Sequence, residues 1–154
     1  MNRSTALPLD RSAAPWEPRL VAFCCHYCAY AAADLAGAMR LDYPPNVRIV
    51  RVPCTGRVDI LHLLGAFLDG ADGALVVGCL EGDCHFIRGN LKAVKRVARA
   101  RALLDETGVG GARLEMRHAS AAMGPKFVEI VQEMTERVRA LGPNPARRPA
   151  EGGP

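Results

Sequence analysis

Residues 19–35, RLVAFCCHYCAYAAADL, decide the fold. RLVAFC (19–24) is a short apolar run without helical spacing and reads as a buried strand. AYAAADLAGAMRL (29–41) follows as a helix whose alanines allow close approach to a sheet. Cys24, Cys25 and Cys28 occupy the handover. A strand passing directly into a helix opens a βαβ unit, and the rest of the chain continues the alternation. YPPN (43–46) interrupts it, because the residue before a proline avoids the helical region. VRIVRV (47–52) and GALVVG (73–78) read as strands around a helix over VDILHLLGAFLDG (58–70). A long helix over 85–108, a strand over ARLEMRH (112–118) and an amphipathic helix over 125–142, with Pro125 in its first turn, complete the series. The expectation is one α/β domain: a single open, mostly parallel sheet of about four strands, helices on both faces, and the cysteines at its carboxyl edge.

The chain of 154 residues has the length of one domain and needs no cross-links to bury a core. Hydrophobic residues at 49% and charged residues at 23% exclude a disordered class. No apolar run reaches the roughly 20 residues of a membrane span. The N-terminus, MNRSTALPLDRSAAPWEP, is broken by prolines and charges, so a cytoplasmic location is expected. Residues 1–18 and 143–154, rich in Pro or Gly, are expected to be flexible tails around a domain over 19–142. The net charge of +4 does not by itself imply nucleic acid or a membrane as partner.

In a reducing compartment the six cysteines point to metal or redox chemistry rather than disulfides. Cys24, Cys25 and Cys28 end the first strand, Cys54 follows the second, and Cys79 and Cys84 follow the third. All therefore fall at the carboxyl edge, where open α/β sheets bind ligands. Cys24 ends an apolar strand, and alternation points it away from Cys25, so it reads as core. The other five, Cys25, Cys28, Cys54, Cys79 and Cys84, form the candidate ligand pool. CxxC alone fits a zinc half-site, a dithiol redox pair or half of an iron-sulfur site. Taken together, the thiols suit tetrahedral zinc or a two-iron, two-sulfur cluster, and spacing does not separate these. Neighbouring glycines favour the cluster, whose sulfurs accept backbone hydrogen bonds.

FCCHYCAYAAADLAG, YPPNVRIVRVPCTGRVD, FLDGADGALVVGCLEGDCHFIRGNLKA and ERVRALGP occur in this order. In these segments the chain resembles the delta subunit of methyl-viologen-reducing hydrogenase, a family also found fused to or associated with heterodisulfide reductase. The resemblance runs from about residue 19 to 143. It implies a 2Fe-2S cluster relaying electrons between a hydrogenase, or another electron-donating module, and a heterodisulfide-reductase-like flavoprotein subunit. The implied ligand pool is Cys25, Cys28, Cys54, Cys79 and Cys84, one thiol more than a two-iron cluster takes; the first choice is Cys25, Cys28, Cys54 and Cys84, with Cys79, on the strand's last turn, as the fifth candidate. His26 and Tyr27 replace the Asn-Trp pair of typical relatives inside the CxxC, a departure bearing on local polarity.

Beside the thiols, His26 is expected to be an exposed loop residue rather than a ligand. His85 is expected either to hydrogen-bond a cluster edge or to sit at a helix start with Asp83 as N-cap, and Arg57 and Asp59 as a local ion pair or solvated. On the long helix, Ile87, Leu91, Val94 and Ala98 form the expected inward stripe. Arg88, Lys92, Lys95, Arg96, Arg99 and Arg101 form an outer basic stripe, solvated or guiding an acidic partner. No catalytic acid, base or nucleophile is identified. The alternatives are a zinc-stabilised interaction module and a thiol-disulfide oxidoreductase using Cys25 and Cys28, which leaves the other three thiols unexplained. GCLEGDC lacks the glycine pattern of a phosphate-binding loop, and little aromatic interleaving accompanies the cations, so neither nucleotide nor nucleic acid is expected.

Overall fold

The computed structural model describes residues 15–147. Strands β1 (Leu20–Cys25), β2 (Val47–Val52), β3 (Gly73–Gly78) and β4 (Leu114–His118) alternate with helices α1 (Ala29–Ala38), α2 (Ile60–Leu68), α3 (Gly89–Glu106) and α4 (Gly124–Leu141). The sheet has the order β2-β1-β3-β4. All its pairings are parallel, as the alternating pattern requires. Side-chain alternation sends Leu20, Ala22, Leu75 and Val77 to one face, under Ala29 and Ala32 of α1 and Phe127, Ile130 and Met134 of α4. Phe23, Ala74, Val76 and Leu114 face the other way, under Leu63 and Phe67 of α2 and Ala93, Val97, Ala100 and Leu104 of α3. Among the described residues no helix is long and apolar enough to cross a membrane.

Several local expectations are corrected. Helix α3 begins at Gly89 rather than at residue 85, and its N-cap position is Arg88 rather than Asp83. The reason is Ile87, whose φ of +67° is left-handed and breaks any helix begun at His85. The buried row of α3 is Ala93, Val97, Ala100 and Leu104, while Ile87, Leu91, Val94 and Ala98 lie outside. Two apolar rows compete on this helix, and the one richer in small residues lets α3 settle closest to the sheet. Arg96 leaves the basic stripe, half-buried and donating to the carbonyls of Gly56 and Val58, whereas Arg101 stays exposed and donates to that of Gly111. Asp59 caps α2 through the Ile60 amide and is not ion-paired with Arg57.

The expected tails meet the domain in part. Trp16 packs against the α1/α4 side of the core, and Glu17 pairs with Arg139 at 2.9 Å. The buried Asn144 donates to the carbonyls of Phe67 and Ala71 at 3.0 and 2.8 Å. Flexibility expected of 1–14 and 148–154 concerns positions outside the described residues.

Candidate metal centre

The strand order reverses direction between β1 and β3, so the loops leaving these strands part and open a crevice at the carboxyl edge. Cys25 closes β1, Cys28 stands at the N-cap position of α1, and Cys79 follows β3. All three are buried with their sulfurs within 4.8 Å of one another. The Sγ atoms of Cys25 and Cys79 are 3.8 Å apart. Cys54, after β2, and Cys84, before α3, converge on Gly89, where a Cβ would overlap the Cys54 sulfur and lie 3.3 Å from that of Cys84. The five expected residues thus meet at one edge as a triad and a pair. Cys24 joins the hydrophobic core, fully buried. Contrary to strict alternation, Cys25 belongs to the same buried cluster, because the strand stops at Cys25 and its side chain turns towards Cys28 and Cys79.

The thiols differ in acidity. Burial, reinforced by the charge at Cys25, pushes the Cys24 thiol up to about 12 and leaves it a protonated space-filler. Cys25 falls to about 5, chiefly because the Cys28 thiol donates to it; the Tyr27 and Cys28 amides and Cys79 add to this against burial. Cys28 rises correspondingly, as the donor to Cys25. Burial raises Cys54 and Cys79. For Cys84 burial acts upward, but the amides of Asn90, Phe86 and Gly89 and the Cys54 thiol together outweigh it, and its thiol is lowered. Each group therefore contains one sulfur, Cys25 or Cys84, made more acidic than an ordinary thiol by backbone N–H donors, an environment suited to metal-bound thiolate.

Side chains from α3 and β4 hold the frame around these sulfurs. Asn90, 1% exposed, donates to the carbonyls of Cys79 and Leu80 at 3.1 and 3.0 Å. His118 Nδ1 lies 2.8 Å from the same Cys79 carbonyl. The Gly56 amide donates to Cys54 Sγ at 3.4 Å. Asn90→Ala removes two buried hydrogen bonds and leaves both carbonyls without these partners; a loss of about 2 kcal/mol is expected, read from the denaturant midpoint of the metal-free chain. His26 is exposed, as expected, with its ring edge-on to Tyr27 at 5.0 Å. His85 lies in the loop before α3 and stacks on Tyr27 at 3.9 Å. These two rings border a pocket of about 350 Å³ reaching Cys28 and Cys79.

Sequence reasoning missed Gly89, Asn90, His118 and the Gly56–Gly89 approach. One signal was present: a glycine inside an otherwise helical pattern commonly marks a close packing contact. Nothing in the spacing pointed to His118.

Buried thiols at the switch point of a parallel sheet, cradled by glycine and backbone amides, define a metal-thiolate α/β protein. The chain belongs to the family described as the delta subunit of methyl-viologen-reducing hydrogenase, which matches residues 20–142. It is 54% identical over 131 residues to the vhu iron-sulfur subunit of the F420-non-reducing hydrogenase of Methanocaldococcus jannaschii, covering 85% of this chain and 98% of that protein. The corresponding subunit of Methanopyrus kandleri is 50% identical over 127 residues, covering 82% of this chain and 96% of that protein. One long subunit of the Ferredoxin/F(420)H(2)-dependent CoB-CoM heterodisulfide reductase of Methanosarcina acetivorans is 40% identical over 126 residues, 82% of this chain and 16% of that protein.

Proposed function

We propose that this chain is the electron-relay subunit of a hydrogenase/heterodisulfide-reductase system and holds a two-iron, two-sulfur cluster on four of its five edge thiols. The observation that carries the reading is the grouping of the sulfurs. A 2Fe-2S cluster takes two protein ligands on each iron. Cys54 and Cys84 would serve one iron, and Cys25 and Cys28 the other. Cys79, its sulfur 3.8 Å from that of Cys25, would stand beside it as a hydrogen-bond donor. When bound, such a cluster supplies a one-electron carrier. The chain's own part is to fix the thiolates, restrict water, and aim the amides of Tyr27, Cys28 and Gly56 at sulfur. The hydrogenase iron-sulfur relatives support a hydrogenase as donor, and the match to part of a heterodisulfide reductase supports a flavoprotein of that kind as acceptor.

Anaerobic purification with iron and acid-labile sulfide analysis tests this reading. About two irons and two sulfides per chain are expected, with a paramagnetic signal after dithionite. Serine at Cys25, Cys28, Cys54 or Cys84 should abolish or reshape the cluster. Cys79→Ala should keep it and lower its potential, because a hydrogen bond to a ligand sulfur favours the reduced state. Loss of the cluster in Cys79→Ala with retention in one of the four serine variants overturns the ligand assignment. One zinc per chain without sulfide replaces the relay with a structural module.

A further inference from the structure

Helix α3 presents an apolar row to solvent beside the cysteine site. Ile87, Leu91 and Val94 are 81%, 42% and 40% exposed, and Phe86, in the loop that carries Cys84, is 52% exposed. Leu91 and Val94 lie three residues apart on α3 and share one side of it, and Ile87 precedes them in the loop that leads into the helix. Ile87 holds φ +67°, a conformation that β-branched residues avoid unless their surroundings enforce it. Here the Ile87 amide donates to Cys84 O at 2.9 Å and the Arg88 amide to Phe86 O at 2.7 Å. The backbone that positions a candidate ligand thus also presents these two side chains to solvent.

The charges around the row are unbalanced. Arg57, Arg88, Lys92, Lys95 and Arg99 are exposed, and none forms an ion pair among the described residues. On the β4/α4 side, by contrast, Glu115, Glu129 and Glu133 are each engaged by Arg or Lys. A solvated face accounts for the cations but not for four large apolar side chains among them. Phe86, Arg57 and Lys92 also wall a hollow of about 290 Å³ that reaches Cys54 and has the charge to receive a carboxylate side chain.

We propose that Phe86, Ile87, Leu91 and Val94, rimmed by Arg57, Lys92 and Lys95, form the docking face for a redox-partner protein that presents apolar side chains ringed by carboxylates. The proposal rests on the electron-relay reading. Such a face combines an apolar centre with a charged rim that speeds encounter and fixes orientation. A partner is favoured over an anionic membrane because the row ends at the thiols and is only one side chain wide, far narrower than the apolar face of a membrane-surface helix.

The chain has three lysines, which makes the test direct: Lys92 and Lys95 lie on this face, and Lys126 lies on α4 across the sheet, paired with Glu129 at 3.1 Å. Amine acetylation read by mass spectrometry is compared between the isolated chain and the complex purified from its native cells through a tag on this chain. Lys92 and Lys95 are expected to react about tenfold more slowly in the complex relative to Lys126, as for amines free one-tenth of the time. Zero-length carbodiimide coupling should join them to Asp or Glu of another polypeptide. Combined Leu91→Asp and Val94→Asp should strip the partner while leaving iron and sulfide unchanged. Ile87→Gly should raise the thermal midpoint of the isolated chain yet weaken the complex, a split that a purely structural residue would not give. Equal acetylation in both samples, or protection by phosphatidylglycerol-containing vesicles in place of the partner, overturns the proposal. Iron and sulfide measured in the same samples report on the cluster separately, so loss of docking and loss of cluster are told apart.

Discussion

A Gly89→Ala chain is expected to fold and to purify without its metal. Gly89 is the first residue of α3 and is buried, so an added Cβ is carried on backbone that has no free side to move into. That Cβ would overlap Cys54 Sγ and lie 3.3 Å from Cys84 Sγ. Retreat is blocked from the other direction too, since a Cβ on Gly56 would come within 2.8 Å of the Gly89 Cα, showing that the two loops already touch backbone to backbone. Overpacking of this kind costs about 1–3 kcal/mol, which a domain with a stability of roughly 5–15 kcal/mol survives. The sulfurs do not survive it in place: Cys54 must rotate away, and the thiol pair at Gly89 is dispersed. Near-complete loss of iron and sulfide with an unchanged far-ultraviolet circular dichroism spectrum is the expected result. Gly37→Ala is the control, because nothing lies within 4 Å of that position and the helix gains up to about 1 kcal/mol. Normal iron content in Gly89→Ala would place the metal away from Cys54 and Cys84.

The architecture was legible because each strand is a continuous or alternating apolar run and each crossover is a helix of ordinary length. β2 and β3 lie over the residues their patterns predict. The meeting of the five thiols was legible for a topological reason: in a parallel sheet every strand ends at the same edge, so cysteines following successive strands converge whatever the loops do. What spacing did not reveal is how they divide. The triad and the pair depend on the sheet order and on Gly89, which is visible only once α3 and the Cys54 loop touch. Periodicity alone does not fix the register of α3, because Ile87, Leu91, Val94 and Ala98 satisfy the same spacing as Ala93, Val97, Ala100 and Leu104. Periodicity ranks apolar rows by hydrophobicity, whereas packing selected the row of smaller residues. The larger row was left outside, next to the thiols.

Arg113→Met should do the opposite of Gly89→Ala: unfold the chain readily while leaving the metal chemistry of the folded fraction intact. Arg113 is 5% exposed, immediately before β4 and so at the amino edge of the sheet, away from the cysteines. Its guanidinium donates to the carbonyls of Val109, Asp72, Gly142, Leu141 and Pro143 at 2.7–3.2 Å. The last three end α4 and begin the following segment, so one side chain ties both to the sheet. Burial pushes the pKa of Arg113 down, against the nearby negative charge of Asp72. That carboxylate, wholly buried, accepts the Arg19 and Asn144 amides at 2.9 Å each. Methionine fills a similar length but offers no donor, leaving five carbonyls and a buried carboxylate without their cation. Removal of one member of a buried charged network costs about 3–5 kcal/mol, a large share of the stability of a domain this size. A denaturant midpoint lowered accordingly, with iron and sulfide per folded chain unchanged, is the expected outcome. Loss of iron from the folded fraction would instead mean that the two edges of the sheet are coupled, and that the α4 end of the molecule sets the position of the Cys79 loop through β4 and His118.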